Sequence, residues 1–243
     1  IPLLILMSYF FQPGRRLYFN IRQSDWLEIL KSSYNGASEF VNEVSGAIIA
    51  FAFNWMLIQR AGVDGVAAIT LVNYLIFLGF MIFFSISDSI QVLVSQNYGA
   101  QLPGRISAFL KTAGGTIAVM SAIIIVVLLA ASEPMIALFV DVEHSAETVA
   151  LALQFVLYVW PLFLFAGFNM LVSGYLTAVH LPVQSAVIAL FRSLVLPLGF
   201  LLLFYVLFPD YRFIMALPVA EGLTAVLVLF LRHSPARAIQ DTK

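Results

Sequence analysis

The sequence contains no cysteine, which removes disulfide frameworks, thiol nucleophiles and Cys-based metal sites from consideration. Histidine is almost as scarce. The three present, His144, His180 and His233, are scattered near predicted span ends and cannot build a metal cage by themselves. Charge is the third shortage: 10% of the 243 residues are charged, where an ordinary globular chain carries about 25%. With a net charge of −1 the overall balance gives no basis for binding nucleic acid. Catalytic signatures are missing as well. Gly114-Gly115 lies inside an apolar run with no following Lys-Ser/Thr, no HExxH appears, and no serine stands in a nucleophile elbow. Nothing here predicts an enzyme or a cofactor.

What the chain has instead is apolar surface: 62% hydrophobic residues and a mean hydropathy of +0.99. A soluble chain with so few charges could not cover it. Runs such as Thr116–Ala131 and Leu194–Phe208 are apolar on every side, whereas a membrane β-barrel needs short alternating segments. In lipid the backbone must satisfy its own polar groups, so such runs predict transmembrane helices. The expected fold is an all-α integral membrane protein, a six-helix transmembrane bundle preceded by the tail of another helix. Residues 1–11, which open on Ile1-Pro2-Leu3-Leu4 inside an apolar run, read as that tail. Residues 12–33 read as a basic loop, 34–231 as the bundle and 232–243 as a tail. The six spans fall near 34–58, 66–88, 106–131, 147–178, 183–208 and 212–231, with Pro161, Pro197 and Pro218 as interior breaks.

Alternating connections put Arg15, Arg16, Arg22, Lys31, Arg105, Lys111, Arg232, Arg237 and Lys243 on one side, leaving Arg60 and Arg212 on the other. By the positive-inside rule the first side is cytoplasmic, and so is the C-terminus.

Polar residues within the spans mark candidate sites, because ionisable groups in lipid are costly unless paired, protonated or ion-bound. Glu39, Asn42, Glu43 and Gly46 have the i, i+3, i+4, i+7 spacing of one helical face. Asn54 follows Glu43 by eleven residues, which extends the stripe with a drift of about 20°. Glu39 also reads as a headgroup-level helix start. Arg192 and Glu221 lie mid-span in the fifth and sixth helices, either as a structural salt bridge or as functional charges. In the fourth span, Ser173 and Thr177 read as interhelical hydrogen-bond glue, and Tyr158 and Asn169 equally as glue or as cavity lining. The second span shows Asn73, Phe77, Phe80, Met81 and Phe84 on one broad face, a pattern of core packing that also suits organic cations.

The segment Ser87-Asp88-Ser89-Ile90-Gln91-Val92-Leu93-Val94-Ser95-Gln96-Asn97-Tyr98-Gly99-Ala100 ends the second span ahead of a basic loop. Together with Gly36-Ala37-Ser38-Glu39-Phe40-Val41-Asn42-Glu43, Phe53-Asn54, Ser173-Gly174-Tyr175-Leu176-Thr177-Ala178, Arg192 and Ala220-Glu221 in order, it resembles the multidrug and toxic compound extrusion (MATE) family over nearly the whole chain. The resemblance implies the C-terminal lobe of a two-lobe transporter in a bacterial inner membrane. It implies export of small organic cations by exchange for Na⁺ or H⁺. The partners it implies are an N-terminal six-helix lobe and the lipid bilayer.

By the same resemblance, Glu43 or Glu39 fills the role of the carboxylate on the lobe's opening helix, with Asn42 and Glu221 as further ion-coupling candidates. The cavity candidates are Asn54, Asn73, Tyr158, Asn169 and Arg192. Some members also place an acid within the fourth helix of this lobe. Its interior here has none, so that role is either unfilled or taken by Tyr158 and Asn169 as neutral oxygen ligands. Two alternatives remain at this stage: a flippase for lipid-linked oligosaccharides, which needs several cationic side chains, and a non-transporting scaffold or channel subunit.

Overall fold

The computed structural model describes residues 25–35, 37–141 and 145–231; within 35–39 and at 231 only the backbone is described. The expectations for residues 1–11 and 232–243, the first part of the basic loop and the side chain of Glu39 lie outside the described residues. All regular structure among the described residues is helical.

Residues 26–33 depart from the loop expected there. They form α1 (Trp26–Asn35) in the first of two compact units, Ile1–Tyr34. Asp25 caps it, its Oδ1 accepting from the backbone N–H of Leu27 at 3.0 Å and of Glu28 at 3.3 Å. Glu28, three residues after the cap, bonds Lys31 at 2.7 Å. The signal was the Asp25-x-x-Glu28 pattern of a helix start, read too early as part of a basic loop.

The second unit, Asn35–Lys243, holds α2 (Ala37–Gly99), α3 (Pro103–Ile136), α4 (Ala146–Val159), α5 (Ala166–Ala178), α6 (Pro182–Leu190), α7 (Leu196–Leu207) and α8 (Ala216–Leu231). A helix as long as α2, with its 63 residues, would extend roughly 95 Å if straight, about three times a bilayer core. It breaks at Gly62, whose φ of 60° and ψ of −148° suit a residue without Cβ. The two halves then run back alongside each other, since Asn42 and Phe84 line one cavity and Phe53 and Asn73 line it too. These pairs centre on residue 63, one position past the break. Two spans therefore come from α2, and the other four are α3, the α4–α5 pair, the α6–α7 pair and α8 with its 3-10 lead-in (Tyr211–Met215). The six spans match those expected, although the second runs on to Gly99 rather than stopping near 88.

Two of the three expected proline breaks, at Pro161 and Pro197, are seen; the sixth span instead changes from 3-10 to α-helix before Pro218. A 3-10 segment, Trp160–Leu164, separates α4 from α5 at Pro161. A π-helical segment, Phe191–Val195, precedes Pro197, whose missing N–H cannot reach the Ser193 carbonyl. Pro218 lies near the start of α8.

The interior is mainly apolar, but small polar side chains join its helices while large apolar ones face outward, as lipid allows. Ser173, Thr177 and Ser185 are buried and join α5 to α6, with Oγ–Oγ distances of 3.1 Å (173–185) and 2.8 Å (177–185). Meanwhile Phe51, Leu138, Val206 and Phe230 are among the most exposed side chains. Between α2 and α5 the helices touch at Gly174, where an added Cβ would lie 2.5 Å from Ser87 Oγ. The Ser87 hydroxyl donates to the Met170 carbonyl at 3.2 Å in the same contact.

At one end of the bundle, Arg60 ties the turn after the first span to the end of α7. Its guanidinium donates to the carbonyls of Phe208 at 2.5 Å and Asp210 at 2.6 Å, and to that of Tyr205. It stacks over the Tyr205 ring, 3.9 Å from its centre. Four residues after Arg60, Asp64 accepts from the Thr148 hydroxyl at 2.7 Å. Asp210 caps the 3-10 lead-in to α8, and the Arg212 backbone N–H, followed by its guanidinium, holds the Asp210 carboxyl below the usual carboxylate range. The turns after Gly99 and Ala178 meet elsewhere, with the Tyr98 and His180 rings 5.9 Å apart. The Tyr-Gly-Ala box thus ends a helix and packs a turn, with Gln101 just beyond it in a left-handed conformation at φ 55°.

Candidate functional site

A cavity of about 440 Å³ lies within this bundle, in the range of pockets for drug-sized ligands. One wall is the first half of α2, where Asn42, Glu43, Gly46, Ile49, Ala50 and Phe53 recur at helical spacing. The facing wall is the second half of α2, with Asn73, Ile76, Phe77, Phe80 and Phe84. The rest comes from Leu162, Arg192, Ser193, Pro197, Leu217 and Glu221. Leu162, in the 3-10 segment, and Arg192 and Ser193, in the π-helical segment, bring irregular backbone to the cavity, with Pro197 and Leu217 beside them. Lipid permits irregular backbone where it lines such a space.

Aromatic side chains fill the bundle beyond Phe53. The Phe53 and Phe213 ring centres are 6.3 Å apart, Phe213 and Tyr205 5.5 Å, and Tyr205 and Trp55 6.4 Å. Arg60 sits over this same Tyr205–Phe213 pair.

The charged groups divide sharply. Glu43 is exposed to the cavity and has no partner among the described residues. Its neighbour Asn42 is held, because Ser193 in the π-helical segment donates to Asn42 Oδ1 at 2.6 Å. Arg192 and Glu221 are buried and form an ion pair, Nε to Oε1, at 2.9 Å. Asn169, 1% exposed, donates through Nδ2 to the other Glu221 oxygen at 2.6 Å and to the Glu221 carbonyl at 2.9 Å. The Arg192 guanidinium stands 5.8 Å from the centre of the Phe80 ring, a cavity wall.

Of the sequence candidates, Asn42, Glu43, Asn73, Arg192 and Glu221 line one cavity. Three others do not line it. Asn54 is exposed elsewhere, because a further 20° or so of drift takes it past Glu43, already the edge of the stripe. Tyr158 is half-buried and accepts from Gln154 Nε2 at 2.9 Å, within its own helix. Asn169 is one layer behind the wall, where it orients Glu221. Met81 likewise turns outward from the aromatic face. Sequence reasoning missed Ser193; its position three residues after Leu190 and four before Pro197 was the available signal, since a proline there frees the Ser193 carbonyl and widens the helix.

Broken helices around an aromatic cavity, with charged groups buried among apolar spans, fit an all-helical, multi-pass membrane transporter. The chain belongs to the MatE family, whose profile matches residues 40–202. It is 33% identical over 143 residues to "Probable multidrug resistance protein NorM" of Aromatoleum aromaticum, a match covering 58% of this chain and 30% of that protein. Among solved structures it superposes on a MATE protein in complex with MaL6 with a TM-score of 0.84 and 18% identity, covering 98% of this chain and 54% of the other. It also superposes, at TM-score 0.84 and 18% identity, on a MOP superfamily transporter from Pyrococcus furiosus described as having a binding pocket of reverse polarity; that match covers 97% of this chain and 54% of the other. The chain thus spans about half the length of the solved structures it matches.

Proposed function

We propose that this chain is the C-terminal lobe of a cation-coupled antiporter that exports organic cations from a bacterial cell by alternating access. It would work with a second six-helix lobe in the inner membrane, its C-terminus cytoplasmic. The observation that carries this reading is the Glu43 carboxylate, without a partner among the described residues, in a cavity walled by Phe77, Phe80 and Phe84. With Arg192 cancelled by Glu221, Glu43 gives the cavity a net negative charge, and aromatic faces attract the same class of ligand. NorM of A. aromaticum carries a multidrug resistance name, which points the same way.

In this mechanism the organic cation and the coupling ion, Na⁺ or H⁺, compete for Glu43. Uptake of the ion releases the substrate. Asn42 and its bond to Ser193 then pass the change to the π-helical segment, where the Pro197 break lets the fifth span bend. Glu39 and Glu221 were further candidates for the coupling ion. Glu221 suits that role poorly, because Arg192 and Asn169 already engage both its carboxylate oxygens. The lipid-linked oligosaccharide reading is weakened for a related reason: a pyrophosphate needs free cationic groups, and Arg192 is paired.

The test is transport in vesicles containing the two-lobe protein. An imposed proton or sodium gradient should drive accumulation of tetraphenylphosphonium, and Glu43→Gln should abolish that accumulation while insertion and melting stay unchanged. Gradient-driven uptake by Glu43→Gln at the wild-type rate would refute the assignment.

A further inference from the structure

We propose that Glu221 is a specificity-determining residue: by cancelling Arg192 it keeps the cavity selective for cations over anions. This rests on the reading of the cavity as an organic-cation site and says which residue sets its sign.

Three observations carry it. Arg192 stands on the cavity wall and its guanidinium is 5.8 Å from the centre of Phe80, one of the rings an organic cation would use. Its charge is matched by Glu221 at 2.9 Å, with both groups buried. Asn169 fixes Glu221 from behind through two hydrogen bonds of 2.6 Å and 2.9 Å, so the carboxylate is aimed at Arg192 by the fold. A glutamine at 221 keeps the shape of the side chain, but its single amide oxygen can accept from only one of the two donors, Arg192 or Asn169. Removing only the charge of Glu221 would therefore leave an uncompensated guanidinium facing the same cavity as Glu43. A bound cation would be repelled and an anion attracted, because the guanidinium itself is buried and so weakly screened.

The pair also fixes helix packing, and a role in packing alone would give a different result. Binding of tetraphenylphosphonium and tetraphenylborate, ions of matched shape and opposite charge, would be measured on the purified two-lobe protein alongside its melting temperature. Wild type should favour the cation, and Glu43→Gln should weaken that preference. Glu221→Gln should lower the cation-to-anion affinity ratio by about tenfold or more, and Arg192→Gln combined with Glu221→Gln should restore it. Equal loss of both probes in Glu221→Gln, without recovery in the double variant, would overturn the proposal. If Glu221→Gln does not fold, Arg192→Gln alone should raise the ratio, and an unchanged ratio overturns it. A wild type without cation preference defeats the cavity reading and this inference together. A Glu43-dependent preference that survives Glu221→Gln defeats this inference alone.

Discussion

Replacing Arg60 with methionine should loosen the end of the bundle opposite the Tyr98–His180 turns without touching the cavity wall. Arg60 donates to three carbonyls at the end of α7 and the turn beyond it, of which that of Tyr205 has no helical donor because Pro209 lacks an N–H. Hydrogen bonds to charged groups contribute about 1.5–3 kcal/mol each when buried. Arg60 is half-buried, so water would take over part of that, and the sum should be discounted by at least half. Stacking on Tyr205 at 3.9 Å adds about 0.5–1 kcal/mol. The expected loss is about 2–4 kcal/mol, a fall of roughly 5–10 °C in melting temperature for a domain of this size. Lysine at 60 keeps the charge but lacks the planar fork that reaches several carbonyls, and should recover less than half of the loss. Thermal melting of the purified variants in one detergent measures both. An Arg60→Met protein that melts with wild type would mean that the observed bonds merely replace equivalent hydration.

Other expectations are narrower. Gly174→Ala pushes a methyl to within 2.5 Å of Ser87 Oγ and should cost about 1–3 kcal/mol, read as a lower melting temperature; adding Ser87→Ala should return part of it. Pro197→Ala would let the π-helical segment Phe191–Val195 tighten toward a regular helix, turning Arg192 and Ser193 away from their partners. Transport in vesicles should then slow more than melting changes, and the reverse order would argue against a bending role. Phe80→Ala should weaken tetraphenylphosphonium binding by about 1 kcal/mol, five- to tenfold, because it removes one cavity ring.

Much of the bundle was legible because its spans are long, apolar and punctuated by proline, and those signals do not depend on tertiary context. The helical stripe through Asn42, Glu43 and Gly46 was also legible, since spacing alone puts these residues on one face. Spacing could not tell where the cavity ends along that face. Asn54 is level with Phe53, which does line the cavity, but stands slightly past the edge of the stripe. Partner choice was equally hidden. Arg192 and Glu221 read equally as a pair or as separate functional groups until the π-helical segment and Asn169 placed them, and Tyr158 turned to Gln154 within its own helix. The helix of residues 26–35 was missed because basic residues around it outweighed a short capping signal.

The central claim is that one carboxylate, Glu43, serves both the exported cation and the ion that drives export. Competition measures this directly: tetraphenylphosphonium affinity of the purified two-lobe protein, titrated against sodium at fixed pH and against pH at fixed sodium. Wild-type affinity should fall as one of the two ions rises, and Glu43→Gln should bind weakly with no such dependence. Undiminished competition in Glu43→Gln would contradict it and put the coupling site elsewhere.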